Sequence, residues 1–262
     1  VKLLASELRL RRTSLVVWVG SVFALVAMIT AFYPQIRSDP SLNSIYANMS
    51  PSMQALLGGS DLTSPAGYLN TQVFAFFLPA VLLVFGLGRG SASIASEEEE
   101  RTLDLLLAQP VPRWSAYLQK AAAVTIGITA LTLATWVILA ALNTAVKFDL
   151  PAANLAAVCL QMGLFALALS LAAQAIAAAT GRRGYGLSVV AGYTFVSYVI
   201  YGMSATVTWL RNVRPLMLWR WYLLNDPLVS GFSWPDIGVL IGVCLTALVG
   251  GMFFFSRRDL RA

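Results

Sequence analysis

Long apolar runs, broken at intervals by short polar or charged clusters, dominate this chain. Seven stretches of at least twenty residues contain no Asp, Glu, Lys or Arg: 13–36, 40–60, 62–88, 121–146, 150–181, 184–210 and 237–256. A helix rises about 1.5 Å per residue, so roughly 20 apolar residues cross a hydrocarbon core about 30 Å thick. The stretch 40–60 is a decoy. It holds two prolines, five serines and two asparagines, which are costly to desolvate and cannot all sit in one unbroken helix. The other six predict spans near 14–33, 73–95, 121–146, 155–179, 186–207 and 237–255. The expected fold class is an all-α polytopic membrane protein, one transmembrane domain over 1–262, with both termini on the same side because the span number is even.

Composition agrees with the pattern. Hydrophobic residues make up 58% of the chain and charged ones 11%, against about 25% charged in an average soluble domain. Charge placement then sets the orientation. Thirteen of the eighteen basic residues fall on the side of the termini, and five (Arg37, Lys147, Arg211, Arg214 and Arg220) fall opposite. Short cytoplasmic flanks retain Lys and Arg during insertion, so both termini are expected in the cytoplasm. The net charge of +6 then reflects topology and anionic headgroups, with no nucleic-acid partner required. The first thirteen residues mix leucines with Arg9, Arg11 and Arg12, a pattern of an interfacial helix or of a frayed basic terminus. The apolar run after them is longer than a signal-peptide core and lacks a small-x-small cleavage site, so it is expected to remain as the first span.

Candidate chemistry is sparse. The two cysteines, Cys159 and Cys244, both fall inside predicted spans, and the chain has no histidine. No span contains a carboxylate, which leaves nothing for a triad, a metal site or a proton relay. A G-x-x-x-x-G-K-[ST] phosphate loop is also missing. No catalytic residue, metal site or cofactor is expected in this chain, and the energy for any transport must come from outside it. Gln161 and Gln174 fall in span four, where interhelical hydrogen bonds are the usual role of such residues. Gly238 and Gly242, and the alanine-rich stretch 166–179, would let another helix approach closely, within this chain or from a second one.

The loop between spans two and three departs from this polar poverty. It reads S-E-E-E-E-R-T-L-D-L-L-L-A-Q-P-V-P-R-W from Ser96 to Trp114. Ser96 with Glu99 fits a capping box, and the glutamates suit the positive end of a helix dipole. Leu103, Leu106 and Leu107 share one face, and Pro110 and Pro112 end the segment. A short amphipathic helix is therefore expected over 97–109. It needs a surface for its leucines, and four adjacent glutamates argue against anionic lipid as that surface.

The run E-E-R-T-L-D-L-L-L-A-Q-P-V-P-R, with L-Q-K at 118–120, closely resembles the loop of permeases of the type-2 ATP-binding-cassette (ABC) transporter family. Arg101 stands where that family usually has glycine, Asp104 replaces a glutamate, Pro112 a serine and Gln119 a glycine. The motif covers about twenty-five residues, and the six-span layout extends the likeness over the chain. The resemblance implies a coupling helix that docks on a separate ATPase subunit through Glu99, Glu100, Arg101, Thr102, Leu103, Asp104, Leu107 and Arg113. It further implies that ATP and Mg are bound by that partner, that a second permease half is needed, and that the setting is a bacterial cytoplasmic (inner) membrane with lipid contact.

Two external segments follow from the layout, a polar loop over 34–72 and an aromatic one over 208–235 with Trp209, Trp219, Trp221, Tyr222 and Trp234. Such aromatics settle at the lipid–water interface; the resemblance implies instead short re-entrant or interfacial helices closing the outer mouth. Phe74, Phe76, Phe77, Tyr193 and Tyr198 are candidate lining residues for an apolar route. The expected function is a permease subunit exporting a lipophilic substrate, and the alternative is an ATPase-driven mechanical or signalling subunit without substrate flux.

Overall fold

The computed structural model describes residues 2–38, 41, 44–45, 48–57, 63–99 and 112–257, with side chains described from Thr13 onward. It is 86% helical, has no strand among the described residues, and contains six helices long and apolar enough to cross a membrane. These are α1 (Lys2–Ala31), α2 (Phe77–Glu99), α3 (Arg113–Val146), α4 (Ala152–Thr180), α5 (Arg183–Met203) and α6 (Trp234–Arg257). The decoy stretch contributes only a short helix, Pro51–Leu56, begun by Ser50, whose hydroxyl accepts the Met53 N–H.

Several boundaries differ from the sequence expectation, each for a local reason. α1 runs unbroken from Lys2, because residues 2–13 contain neither glycine nor proline to end it. The second span begins early, through Pro65–Leu69 and a π-helical turn at Asn70–Phe74 closed by Ala75 N–H to the Asn70 carbonyl at 2.7 Å. At its other end α2 continues to Glu99. Ser96 therefore lies inside a helix, where its hydroxyl donates to the Ala92 carbonyl, and the Ser96–Glu99 capping box does not form. The expected helix over 97–109 begins within α2, and its remaining residues, 100–109, lie outside the described residues. α3 starts at Arg113, directly after Pro112 in an extended conformation, as a proline at the helix entrance favours.

Tight connections fix the order of the later helices. The side chain of Asn143 closes the α3–α4 turn, donating to the Leu150 carbonyl at 3.0 Å and accepting from the Leu150 N–H at 3.2 Å. Gly181, with φ of 70°, ends α4 in the left-handed conformation that glycine adopts without a Cβ penalty. α1 starts, and α6 finishes, at the same end of the bundle as the last turn of α2 and the first turns of α3 and α5; this is called the terminal end below.

α4 is the axis. In its most apolar window 72% of residues are buried, against 17% in α1, and α2, α3, α5 and α6 all pack on it. Lipid tails are as apolar as leucine, so contact between spans rests on close van der Waals packing and not on hydrophobic exclusion. Small residues provide it. Gly86 and Gly90 of α2 lie against Ser170 of α4 so closely that a methyl group at Gly90 would collide with the Ser170 backbone carbonyl. Gly186 of α5 abuts Ala173 and Ala177, and Gly251 of α6 abuts Tyr117 and Ala175. The alanine-rich stretch thus serves packing within the chain. Gly238 and Gly242 meet open space.

Gly90→Ala is therefore expected to wedge α2 off α4 and to cost about 1–3 kcal/mol, the usual range for overpacking. Gly88→Ala, where an added methyl meets nothing within 4 Å, should be close to neutral. Thermal unfolding of the two purified variants in detergent distinguishes them, and equal stability of both would contradict the packing argument.

Candidate functional site

At the terminal end, the described residues that flank 100–111 are fastened to their neighbours. The Lys120 ammonium, on a residue only 4% exposed, pairs with the Glu97 carboxylate. This ion pair joins the last turn of α2 to the second turn of α3. Two residues on, a carboxylate oxygen of Glu99 accepts the backbone N–H of Arg183 at 2.9 Å. Arg183 is the first residue of α5, so a negative charge sits on one of the unpaired amides at the positive pole of that helix. Arg113 opens α3 and is exposed. Behind these contacts Tyr117, Ile94, Ala178 and Phe255 form a buried cluster from α3, α2, α4 and α6. Among the described residues, the flanks of 100–111 are thus tied to α5 and to a cluster shared by α2, α3, α4 and α6.

The opposite end is closed by the segment between α5 and α6. It folds into short turns at Leu210–Val213, Arg214–Leu216, Leu218–Leu223 and Pro227–Ser230. Trp219 and Tyr222 are buried and not at a lipid interface. The Trp219 backbone N–H donates to Ser197 Oγ at 3.2 Å, and the Tyr222 hydroxyl donates to the Phe74 carbonyl at 2.9 Å. Both rings contact Phe165 of α4, at 4.9 and 5.3 Å between centroids. Trp209 and Trp234 are exposed, as interfacial anchors are. Asp226, in a left-handed turn with φ of 43°, accepts from Asn70 Nδ2 at 3.4 Å, and burial pushes its carboxyl above the usual range.

Between α2 and α5 an open groove of about 500 Å³ runs along the bundle. Its α5 wall is the stripe Arg183, Leu187, Ala191, Thr194, Phe195 and Tyr198, in which each residue has another three or four positions away, so that all share one helical face. Phe76, Ala80, Leu83, Val84 and Leu87 form the α2 wall, and Trp219 closes one end. Phe195 and Val84 are 70% and 65% exposed, so the groove opens to the side of this chain.

The expected lining residues fare differently. Tyr198 lines the groove, with its ring 5.6 Å from Phe76 and 4.9 Å from Trp219. Phe74 is fully buried in the core, Phe77 is exposed and is not among the lining residues. Tyr193 holds the outer segment, donating to the Leu216 carbonyl at 2.9 Å and accepting the Leu218 N–H at 3.1 Å. Glu99 and Arg113 stand at the roots of 100–111 as described, whereas Glu100, Arg101, Thr102, Leu103, Asp104 and Leu107 lie outside the described residues. Sequence reasoning named Phe76 for an apolar route but passed over Arg183 and Phe195 as lining residues; the helical periodicity of the α5 stripe was the signal available.

A family model described as ABC-2 family transporter protein matches residues 1–260. The chain belongs to that family. Comparison with curated proteins and with solved structures gives no match in either set. Members of this family are membrane subunits and not catalytic ones, and membership implies an ABC ATPase partner in general. For this permease the groove and the fastened roots of 100–111 are accordingly the two places where function is to be sought.

Lys120→Met should destabilise the permease by about 1–3 kcal/mol, because it strands a largely buried carboxylate. The exchange Glu97→Lys with Lys120→Glu should recover part of that loss, as read by thermal unfolding of all the variants. Asp226 gives a pH test. A carboxyl raised in the fold favours its protonated form there, so its contribution to stability is complete below the ordinary carboxylate range and declines as pH rises through the raised value. Asp226→Asn tolerates the left-handed turn and should raise the unfolding temperature at neutral pH, with the gain vanishing below about pH 4, near the unperturbed value.

Proposed function

We propose that this chain is the membrane half-unit of an ABC exporter, with residues 97–109 as the coupling element docked on the ATPase and the α2–α5 groove as its share of the pathway. The termini and the coupling element face the cytoplasm of a bacterium, as the thirteen-to-five division of Lys and Arg supports. ATP and Mg belong to the partner. A second permease half covers the open side of the groove, and the apolar lining favours a lipophilic substrate.

The observation that carries this reading is the pair of fastenings at the roots of 100–111. Glu97 and Lys120 join the two helices that flank the segment, and Glu99 ties it to α5. The far end of that same helix face lines the groove. A push on the segment by a closing ATPase therefore has a continuous route to a pathway wall. Leu103 and Leu107 would supply apolar anchors in the docking groove, and Glu100 and Asp104 would meet basic residues there, giving register and specificity.

Glu100→Lys with Leu103→Asp is expected to abolish co-purification with the cognate ATPase and to uncouple ATP turnover, while gel filtration of the permease is unchanged. Adding Glu99→Lys should also loosen α5. Normal assembly and normal turnover in the first variant would overturn the coupling role. ATP-driven conformational change with no flux of any amphiphile in sealed vesicles would favour a mechanical subunit instead.

A further inference from the structure

We infer that the α2–α5 groove takes an amphiphile with one anionic headgroup and an apolar tail. The inference rests on the pathway reading above and adds to it the charge of the substrate. Its basis is where the cations lie and what they lack. The groove wall is apolar along its length except for Thr194, Tyr198, Arg183 and the indole N–H of Trp219, which is buried without a hydrogen-bond partner. The Thr194 hydroxyl donates to the Val190 carbonyl of its own helix, and the Tyr198 hydroxyl donates to the Leu56 carbonyl. Arg183 is left as the charged group facing the groove. Its backbone N–H engages Glu99, but among the described residues no carboxylate pairs with its guanidinium.

Beyond the other end two arginines lie outside the groove lining, and Arg214 is hydrogen-bonded to Tyr201. Arg214 lies over the Tyr201 ring at 5.0 Å, one turn along α5 from Tyr198, and Arg220 follows groove-lining Trp219 and lies over Trp221 at 4.7 Å. The Nε atoms of both arginines are buried with no hydrogen-bond partner. Two acids of this segment are occupied by amides. Asp226 accepts from Asn70, and Asp236 accepts from Asn225 Nδ2 at 2.6 Å. Among the described residues, then, the carboxylates here are satisfied by neutral donors, and the arginines rest on aromatic faces.

An apolar groove with a guanidinium at one end selects by charge. A cationic amphiphile would be repelled at that end. A neutral one would gain only from the walls. A phosphate or carboxylate head can take the two parallel hydrogen bonds that a guanidinium fork offers. From Arg183 to Tyr198 is fifteen residues of helix, about 22 Å, which accommodates an extended tail of roughly sixteen carbons while the head sits at Arg183.

The test uses the full chain in phosphatidylcholine nanodiscs, with hexadecyl phosphate, hexadecanol and hexadecyltrimethylammonium as matched probes. Cys159 and Cys244 are buried, so a single cysteine at Phe195→Cys reports groove occupancy by maleimide labelling. Hexadecyl phosphate should protect that cysteine, the cationic probe should not, and the alcohol should do so only weakly. Arg183→Gln should weaken protection by the phosphate about 10-fold, the loss expected for a hydrogen bond to a charged group, with Arg183→Lys intermediate and the alcohol unaffected. Equal protection by all three probes, an indifferent Arg183→Gln, or no protection by the phosphate because the cysteine is already shielded by a second copy would each overturn the inference. A parallel flux assay with the ATPase in sealed vesicles separates the two readings. Selective phosphate binding without ATP-driven flux removes the exporter and keeps the anion site, whereas flux of the alcohol with Arg183→Gln silent removes the anion site and keeps the exporter.

Discussion

The structure depends on how closely α2 can approach α4. In a membrane the apolar surface of a helix gains little by leaving lipid for protein, so a bundle is held by the number of atoms brought into contact. Gly86 and Gly90 remove the side chains that would keep the two backbones apart, and Ser170 turns its hydroxyl back onto the Ala166 carbonyl at 2.6 Å, leaving no polar group aimed at its neighbour. Once α2 is seated, its last turn is carried to the point where Glu97 reaches Lys120 and Glu99 reaches the start of α5. The same contact sets the width of the α2–α5 groove, because α5 is itself seated on α4 through Gly186.

The layout of spans was legible from the charge-free intervals alone, since length and desolvation cost leave few ways to thread such a chain. The decoy at 40–60 could be rejected on the same grounds, and it forms only the turn at Pro51–Leu56. What sequence could not supply was the partner of each small residue. Gly238 and Gly242 have the spacing of a packing motif, yet they face open space, while Gly86 and Gly90 have the same spacing and make the tightest approach to α4. One-dimensional spacing states that a close contact is permitted; the rotation of the helix decides whether it is made. The capping box at Ser96 failed for a related reason. The motif is local, but a helix already running through Ser93 and Ile94 with no break offers it no free amide to cap.

Aromatic residues illustrate the same limit. Trp209 and Trp219 are indistinguishable in a sequence that reads as an interfacial belt. The first is exposed, and the second is inserted between Phe165 and Tyr198 as part of the core. The difference follows from Pro215 and Met217, where the chain turns inward through an extended residue before Leu218. Tyr193 fixes that turn by accepting the Leu218 N–H while donating to Leu216. Tyr193 thus latches the outer segment to α5.

Arg183 links the two halves of the site in a single residue. Its backbone amide carries the Glu99 carboxylate, and its side chain faces the groove. Were α2 to shift at its last turn, the ligand of the α5 amide would shift with it, and the guanidinium at the mouth of the groove would be re-aimed without any rearrangement of the α4 packing. The carboxylate at Glu99 also stabilises the start of α5 through the helix dipole, so loosening it would free the first turn of that helix before any buried contact is broken. The glycine contacts at Gly90 and Gly186 lie beyond that turn and would hold the rest of both helices in place. The first turn of α5 can thus be released while the packing of both helices on α4 stays in place.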